Sequence, residues 1–303
     1  MESGIERQHH WRWKIALYLF LAGAGAGAYI GAVLADIFWT NGIYLSKNGV
    51  LLGTALVIAG TPLLILDLGR QRRFLRAGFN PRTAWIGRGF YVLSIFIILG
   101  LMHIGFWIWP FKILETERSF RVTVGIINGV FACATAMYTG LLLKSMKPIQ
   151  FWNTSLIVVL FFLSALSTGS ISVLLSSINH FAEAEGGKVI LGFLIRGDLI
   201  LILGESLVLG LYLFTMFRAS SASKKSVLSL IRGDLKLLFW GGIVICGLAI
   251  PVFLKYVELI HSELVMPELI TISCLFILSG GLLLRYGILA AGVRVDPLLP
   301  KCR

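Results

Sequence analysis

Charge is scarce in this sequence: 14% of its 303 residues are Asp, Glu, Lys or Arg, and only 15 are acidic. Soluble domains carry roughly 25% charged and about 45–50% apolar residues. With 57% hydrophobic residues and a mean hydropathy of +0.87, this protein falls outside that class and belongs in a bilayer. Cysteine is nearly missing too. The four present, Cys133, Cys246, Cys274 and Cys302, form no CxxC pair, which excludes an iron–sulfur or zinc site built by this chain alone and leaves a disulfide scaffold unsupported. Histidine is as sparse. His9 and His10 precede the first apolar run, His180 and His261 fall in loops, and only His103 lies within a run, so a haem held between histidines on facing helices is not expected. The net charge of +12 resembles that of a nucleic-acid binder, but in so apolar a protein basic residues mark cytoplasmic loops, and no nucleic-acid partner is expected.

What the sequence has instead is long apolar runs. A spanning helix needs about 20 mostly apolar residues, and eight such runs occur, at approximately 15–38, 49–68, 89–109, 122–143, 153–177, 189–217, 236–257 and 268–290. They predict an all-α integral membrane protein with eight transmembrane helices. Trp11, Trp13, Trp39, Trp85, Trp107, Trp109, Trp152 and Trp240 all fall at or just beyond run ends, where an amphipathic ring prefers the headgroup layer. The first run is too long for the apolar core of a cleaved signal peptide and is expected to be retained. Most of the 27 Lys and Arg residues fall in loops on the side of the N terminus, which places both termini in the cytoplasm.

The first run reads LFLAGAGAGAYIGAVL, and Gly23, Gly27 and Gly31 recur every four residues on one helix face, predicting a close helix–helix contact rather than a phosphate cradle. Gly140 to Lys144 (GLLLK) and Gly281 to Arg285 (GLLLR) form a faint echo four spans apart.

Ionisable groups inside the runs are costly in lipid and therefore functional candidates. Asp67 ends the second run five residues after Pro62, which is expected to kink the helix, and Arg70 follows at pairing distance. Glu205 sits near the middle of the sixth run, with Asp198 seven residues earlier on nearly the same face, an arrangement that could pass a proton through intervening water; Arg196 is close enough in sequence to neutralise Asp198 instead. His103 reads as a hydrogen-bonded interior histidine or a further member of a proton path.

Four segments then bear a family likeness: IALYLFLAGAGAGAY from Ile15 to Tyr29, LDLGRQRRFLRAGFNPRTAWIGRGFYVL from Leu66 to Leu93, MYTGLLLKSMKPIQFWN from Met137 to Asn153, and RYGILAAG from Arg285 to Gly292. Their order on an eight-span protein resembles the NrfD/PsrC family, the integral membrane subunits of polysulfide-reductase-like and related respiratory complexes. The resemblance implies two four-helix bundles, residues 1–147 and 148–303, the first holding a quinone pocket for menaquinone or ubiquinone. It implies no haem or iron–sulfur cluster in this chain, a docked ferredoxin-like iron–sulfur subunit, and a catalytic subunit that is molybdopterin-dependent, in the cytoplasmic membrane of a bacterium or archaeon. By position it puts Tyr18 where the family has a polar quinone contact, often histidine, Tyr138 at the fourth-span tyrosine, and Asp67 at the acidic second-span exit. Antiparallel alternation brings these three to one membrane side, where donors and a titratable group suit a quinone headgroup. Arg70, Arg72, Arg73, Arg76, Arg82 and Arg88 lie on that side and could pair with an acidic partner surface. The competing readings are a secondary transporter, which eight spans with Pro62, Pro251 and buried charges also suit, and a purely structural anchor.

Overall fold

With no water in the hydrocarbon layer, each backbone N–H must find its carbonyl within its own segment, and apolar runs of this length resolve the demand as helices. The computed structural model describes residues 5–7, 13–39, 43–67, 85–107, 117–183, 187–260 and 267–295. Eight long helices fill them: α1 (Trp13–Phe38), α2 (Ile43–Asp67), α3 (Trp85–Gly105), α4 (Arg118–Lys144), α5 (Leu156–Glu183), α6 (Gly187–Ala219), α8 (Leu238–Ile260) and α9 (Pro267–Ala290). Each is long and apolar enough to cross a membrane and corresponds to one of the eight expected runs. A short helix, α7 (Ser221–Ile231), joins α6 to α8; Ser220 caps it by accepting from the Ser223 amide, and it turns Ala222, Ser226, Val227 and Leu230 inward while Lys224 stays exposed. α2 runs on through Pro62 to Asp67. α8 departs from regular winding, with Leu238–Ala249 wound as a wide π-helix before the α-helical turns of Ile250–Ile260.

α1 is the axis of the molecule and packs on α2, α4, α5 and α9. Its small residues make this possible, since helices in lipid associate by close backbone approach rather than by expelling water. Of the expected stripe, Gly27 makes the close backbone approach: a Cβ there would overlap the Ala165 carbonyl of α5, and one on Gly169 of α5 would overlap Gly27 and Ala28, whereas Gly23 faces the Arg285 side chain and Gly31 has room for one. A second glycine, Gly25, faces α2, where a Cβ would meet the Gly53 carbonyl at 2.6 Å. A buried apolar cluster runs from Ile15 of α1 through Phe161 of α5 to Ile288 of α9, joining the two halves of the molecule. Its two ends are clipped together by a short antiparallel pair, β1 (Ile5–Arg7) with β2 (Val293–Val295), in the register Glu6 to Arg294.

Trp152 departs from the headgroup placement. It lies in a helical turn, Gln150–Trp152, between α4 and α5 and is 1% exposed, with its indole N–H donating to the Ile288 carbonyl at 3.0 Å. The connection is drawn into the protein because Tyr212 of α6 also donates to the Phe151 carbonyl, at 2.8 Å. The ring is therefore a buried anchor with its one polar atom satisfied, and lipid plays no part in its placement.

Candidate functional site

α1 and α4 run in opposite directions, so Tyr18 near the start of α1 and Tyr138 near the end of α4 sit at the same end of the molecule. Both are buried, and neither hydroxyl has a hydrogen-bond partner among the described residues. The two feel one another electrostatically. Glycines make room for both rings: the Tyr18 ring lies 3.6 Å from where a Gly60 Cβ would stand on α2, and a Cβ on Gly89 of α3 would overlap the Tyr138 ring. Four helices thus contribute one tyrosine or one glycine each around the two hydroxyls. A buried hydroxyl without a partner costs about 1–3 kcal/mol, a cost that both tyrosines carry with no acceptor among the described residues. Asp67 is the last residue of α2, at this same end, although its side chain lies outside the described residues; Arg70, Arg72, Arg73, Arg76 and Arg82 lie outside them entirely. Arg88 is exposed at the start of α3.

From this pocket a row of polar side chains leads toward the other end of the N-terminal half. On α1, Tyr18, Tyr29 and Asp36 are 11 and 7 residues apart and share one face, spanning about 27 Å at 1.5 Å per residue. On α4, Arg121, Asn128 and Thr135 recur every seven residues, and all three are buried. The far end is closed by Arg121, whose Nε and Nη2 donate to the two Asp36 carboxylate oxygens at 2.7 Å each, while Arg118 donates to the Asp36 and Ile37 carbonyls that α1 leaves open. Further in, the Tyr29 hydroxyl and the His103 Nδ1 are 2.6 Å apart, and the imidazole stacks on Trp107. His103 is thus the hydrogen-bonded interior histidine that the sequence suggested. Its Nε2, the Asn128 carbonyl oxygen and the hydroxyls of Thr54 and Thr135 are buried without protein partners among the described residues.

The C-terminal half holds a second polar group. Asp198 of α6 accepts from Ser167 of α5 at 2.6 Å and pairs with Lys255 of α8, whose Nζ is 3.1 Å from its other oxygen. Arg196, the alternative partner that the sequence offers for Asp198, is not the one used. Two residues along a helix point about 200° apart, and Arg196 faces outward, exposed. Glu205, also buried, lies close to Ser164 and within electrostatic reach of Arg285 on α9. Arg285 is fully buried, donating to Ser164 Oγ at 3.1 Å and to the Gly281 carbonyl at 2.8 Å, with its guanidinium beside Phe20, Phe161 and Gly23. The one-face alignment of Asp198 and Glu205 therefore holds, with Ser167 and Ser164, three residues apart on α5, facing them. The GLLLK and GLLLR echo ends differently, since Lys144 reaches the exposed Ser155 hydroxyl whereas Arg285 is interior.

Sequence reasoning passes over Asp36, Arg121, Lys255 and Arg285. The signal is present for three of them, because positions 36, 255 and 285 all fall inside the expected runs, where any charge needs a partner.

The family model described as "Polysulphide reductase, NrfD" matches residues 2–296. The protein is 30% identical to a polysulfide reductase chain of Wolinella succinogenes, over 93% of its own length and 94% of that relative. It is 25% identical to protein NrfD of Escherichia coli over 82% of each, and 30% identical to a sulfite dehydrogenase subunit of Allochromatium vinosum over 39% of each.

Proposed function

The chain belongs to the polysulphide reductase NrfD family, and from that premise we propose that it is the quinone-reactive membrane subunit of a respiratory oxidoreductase in a bacterial or archaeal cytoplasmic membrane. The observation that carries the reading is the pair of buried, unpartnered tyrosine hydroxyls. A quinone headgroup has two carbonyl oxygens that accept hydrogen bonds, and the Tyr18 and Tyr138 hydroxyls are donors held in an apolar enclosure with no acceptor among the described residues. Bound there, menaquinone or ubiquinone supplies the electron and proton chemistry. Tyr18 and Tyr138 orient it, and Asp67 exchanges its protons at the helix end.

Electrons pass between this pocket and a partner iron–sulfur subunit docked on the same face, which carries Arg70, Arg72, Arg73, Arg76 and Arg82; the third member of the complex is a molybdopterin-dependent catalytic subunit. The names of the relatives, a polysulfide reductase chain and a sulfite dehydrogenase subunit, support partners of the oxidoreductase class. The basic loops favour the cytoplasmic side for this face and for both termini. Residues 1–147 are the quinone-bearing half. Proton movement accompanies electron transfer along His103 in that half and along Asp198 and Glu205 in the other.

The test is quinone-dependent turnover of the assembled complex carrying Tyr18→Phe or Tyr138→Phe. Each variant is expected to lose about tenfold in rate, the kinetic equivalent of ~1.4 kcal/mol, while partner subunits still co-purify. Unchanged turnover in both would remove this pocket. A protein that purifies without redox partners and moves a solute by itself would favour the transporter.

A further inference from the structure

Three ionisable groups meet where α6, α8 and α9 pack, and their charges do not balance. Lys255 supplies one cation, 1% exposed at its side chain, already paired with Asp198. One turn further along α8 lies Glu258, both of whose carboxylate oxygens are buried without a hydrogen-bond partner among the described residues. Both acids and the lysine also lie within electrostatic reach of Cys274 on α9. A second carboxylate left unpaired in a low-dielectric interior costs several kcal/mol, and the cost disappears when the group holds a proton. Holding a proton, Glu258 would sit beside the Asp198–Lys255 ion pair without that cost.

Lys255 can reach either acid. Residues three apart on a helix are neighbours, and a lysine side chain has four flexible methylenes. α8 is also loosened just before this point. Its first half is π-wound, and Pro251, one turn before Lys255, gives no N–H to the ladder. Glu258 stands two residues from the end of the helix, whereas Asp198 leads inward through Ser167 toward Ser164, Glu205 and Arg285.

We propose that Lys255 is a movable counter-charge that alternates between Asp198 and Glu258, making this cluster a proton gate in the C-terminal half. The inference rests on the reading of Asp198 and Glu205 as a proton path and adds the residue that gives the path its direction. When the ammonium leaves Asp198 for Glu258, the O–H bond of Glu258 breaks and its proton leaves at the helix end, while Asp198 takes up a proton from the Glu205 side. When the ammonium returns, Asp198 passes that proton to Glu258. One proton crosses per cycle, the lysine keeps its charge throughout, and the step itself transfers no electron.

The experiment is made on the assembled complex reconstituted in sealed vesicles, reading proton movement and quinone-dependent electron transfer together. Lys255→Gln and Glu258→Gln are each expected to abolish proton movement in excess of that released by the quinone itself while electron transfer persists. Redox-difference infrared spectra are expected to show a protonated-carboxyl band in the parent that disappears in Glu258→Gln and no longer responds to redox state in Lys255→Gln. Should Lys255→Gln fail to assemble, Glu258→Gln keeps the Asp198–Lys255 pair and the path residues intact and carries the test by itself. A parent that moves no excess protons overturns the underlying proton-path reading and this gate with it. A parent that moves them, alongside a Lys255→Gln or Glu258→Gln variant that moves them equally well, overturns the gate alone.

Discussion

Asp36 and Arg121 show how much a single pair of side chains can hold in this fold. Their two hydrogen bonds of 2.7 Å join the end of α1 to the start of α4 with both side chains 5% exposed. Removing one partner leaves the other charged and buried, which in proteins costs about 3–5 kcal/mol, whereas replacing both by apolar groups of similar volume is often neutral. Asp36→Asn is thus expected to lower the thermal midpoint of the purified protein strongly, and Asp36→Leu with Arg121→Leu to recover most of the loss. Equal loss in the single and double variants would show that the pair does not act as a unit. At the tyrosine pocket the corresponding test is Gly89→Ala, since the added methyl would occupy the place of the Tyr138 ring. Quinone-dependent turnover is expected to fall in the same direction as with Tyr138→Phe, without loss of the protein; unaltered turnover would show that the ring moves without consequence. Single residues are also where the sequence is hardest to read. Tyr18 and Tyr138 at helix ends look like interfacial tyrosines until the packing shows them buried. Arg196 looks like the partner of Asp198 because sequence distance is visible and helix phase is easily overlooked, while Lys255, 57 positions away, is close only after α8 packs on α6.

At the scale of the element, the expected glycine face of α1 proves to be packed unevenly along its length. A Cβ at Gly27 would run into the backbone of α5, whereas one at Gly31 meets only the Ser170 hydroxyl at 3.8 Å, ordinary contact. The two sites share the same spacing, so their substitutions separate close approach from composition. Gly27→Ala is expected to separate α1 from α5 and to reduce the amount of folded protein in the membrane. Gly31→Ala is expected to be tolerated or to stabilise by about 0.5–1 kcal/mol, because alanine restricts the unfolded chain and favours helix. Membrane abundance and thermal midpoint check both, and equal behaviour of the two variants would contradict the packing described. The helices themselves are legible because apolar length alone dictates them in lipid. The π-winding of α8 is not, since nothing in Leu238–Ala249 distinguishes it from a regular apolar stretch and the winding depends on the neighbours it meets, among them Gly280 against Gly247.

For the whole molecule, the polarity of the ends decides what the protein can serve. Tyr18, Gly60, Gly89 and Tyr138 gather at one end of the N-terminal half, and in the sequence six arginines fall between Leu68 and Gly89, the stretch that leads from α2 into α3. Eight helices in this order are readable from the sequence, but the interior polar rows are not, because they arise from faces of several helices meeting across the core. If the arginine-rich segment docks a partner subunit, the association is electrostatic and is screened within about 8–10 Å at ordinary ionic strength. The protein should then retain its partner through gentle purification at low salt and lose it progressively as salt is raised. Replacing Arg70, Arg72, Arg73, Arg76 and Arg82 by Gln should shift that loss to lower salt without reducing the amount of the protein in the membrane. Co-purification across a salt series, with the amount of each partner quantified, reads both effects. If the substituted protein holds its partner at the same salt as the parent, docking lies elsewhere on the surface and the arginines serve only to fix the orientation of the second loop, a role that positive charge on the cytoplasmic side performs without any partner.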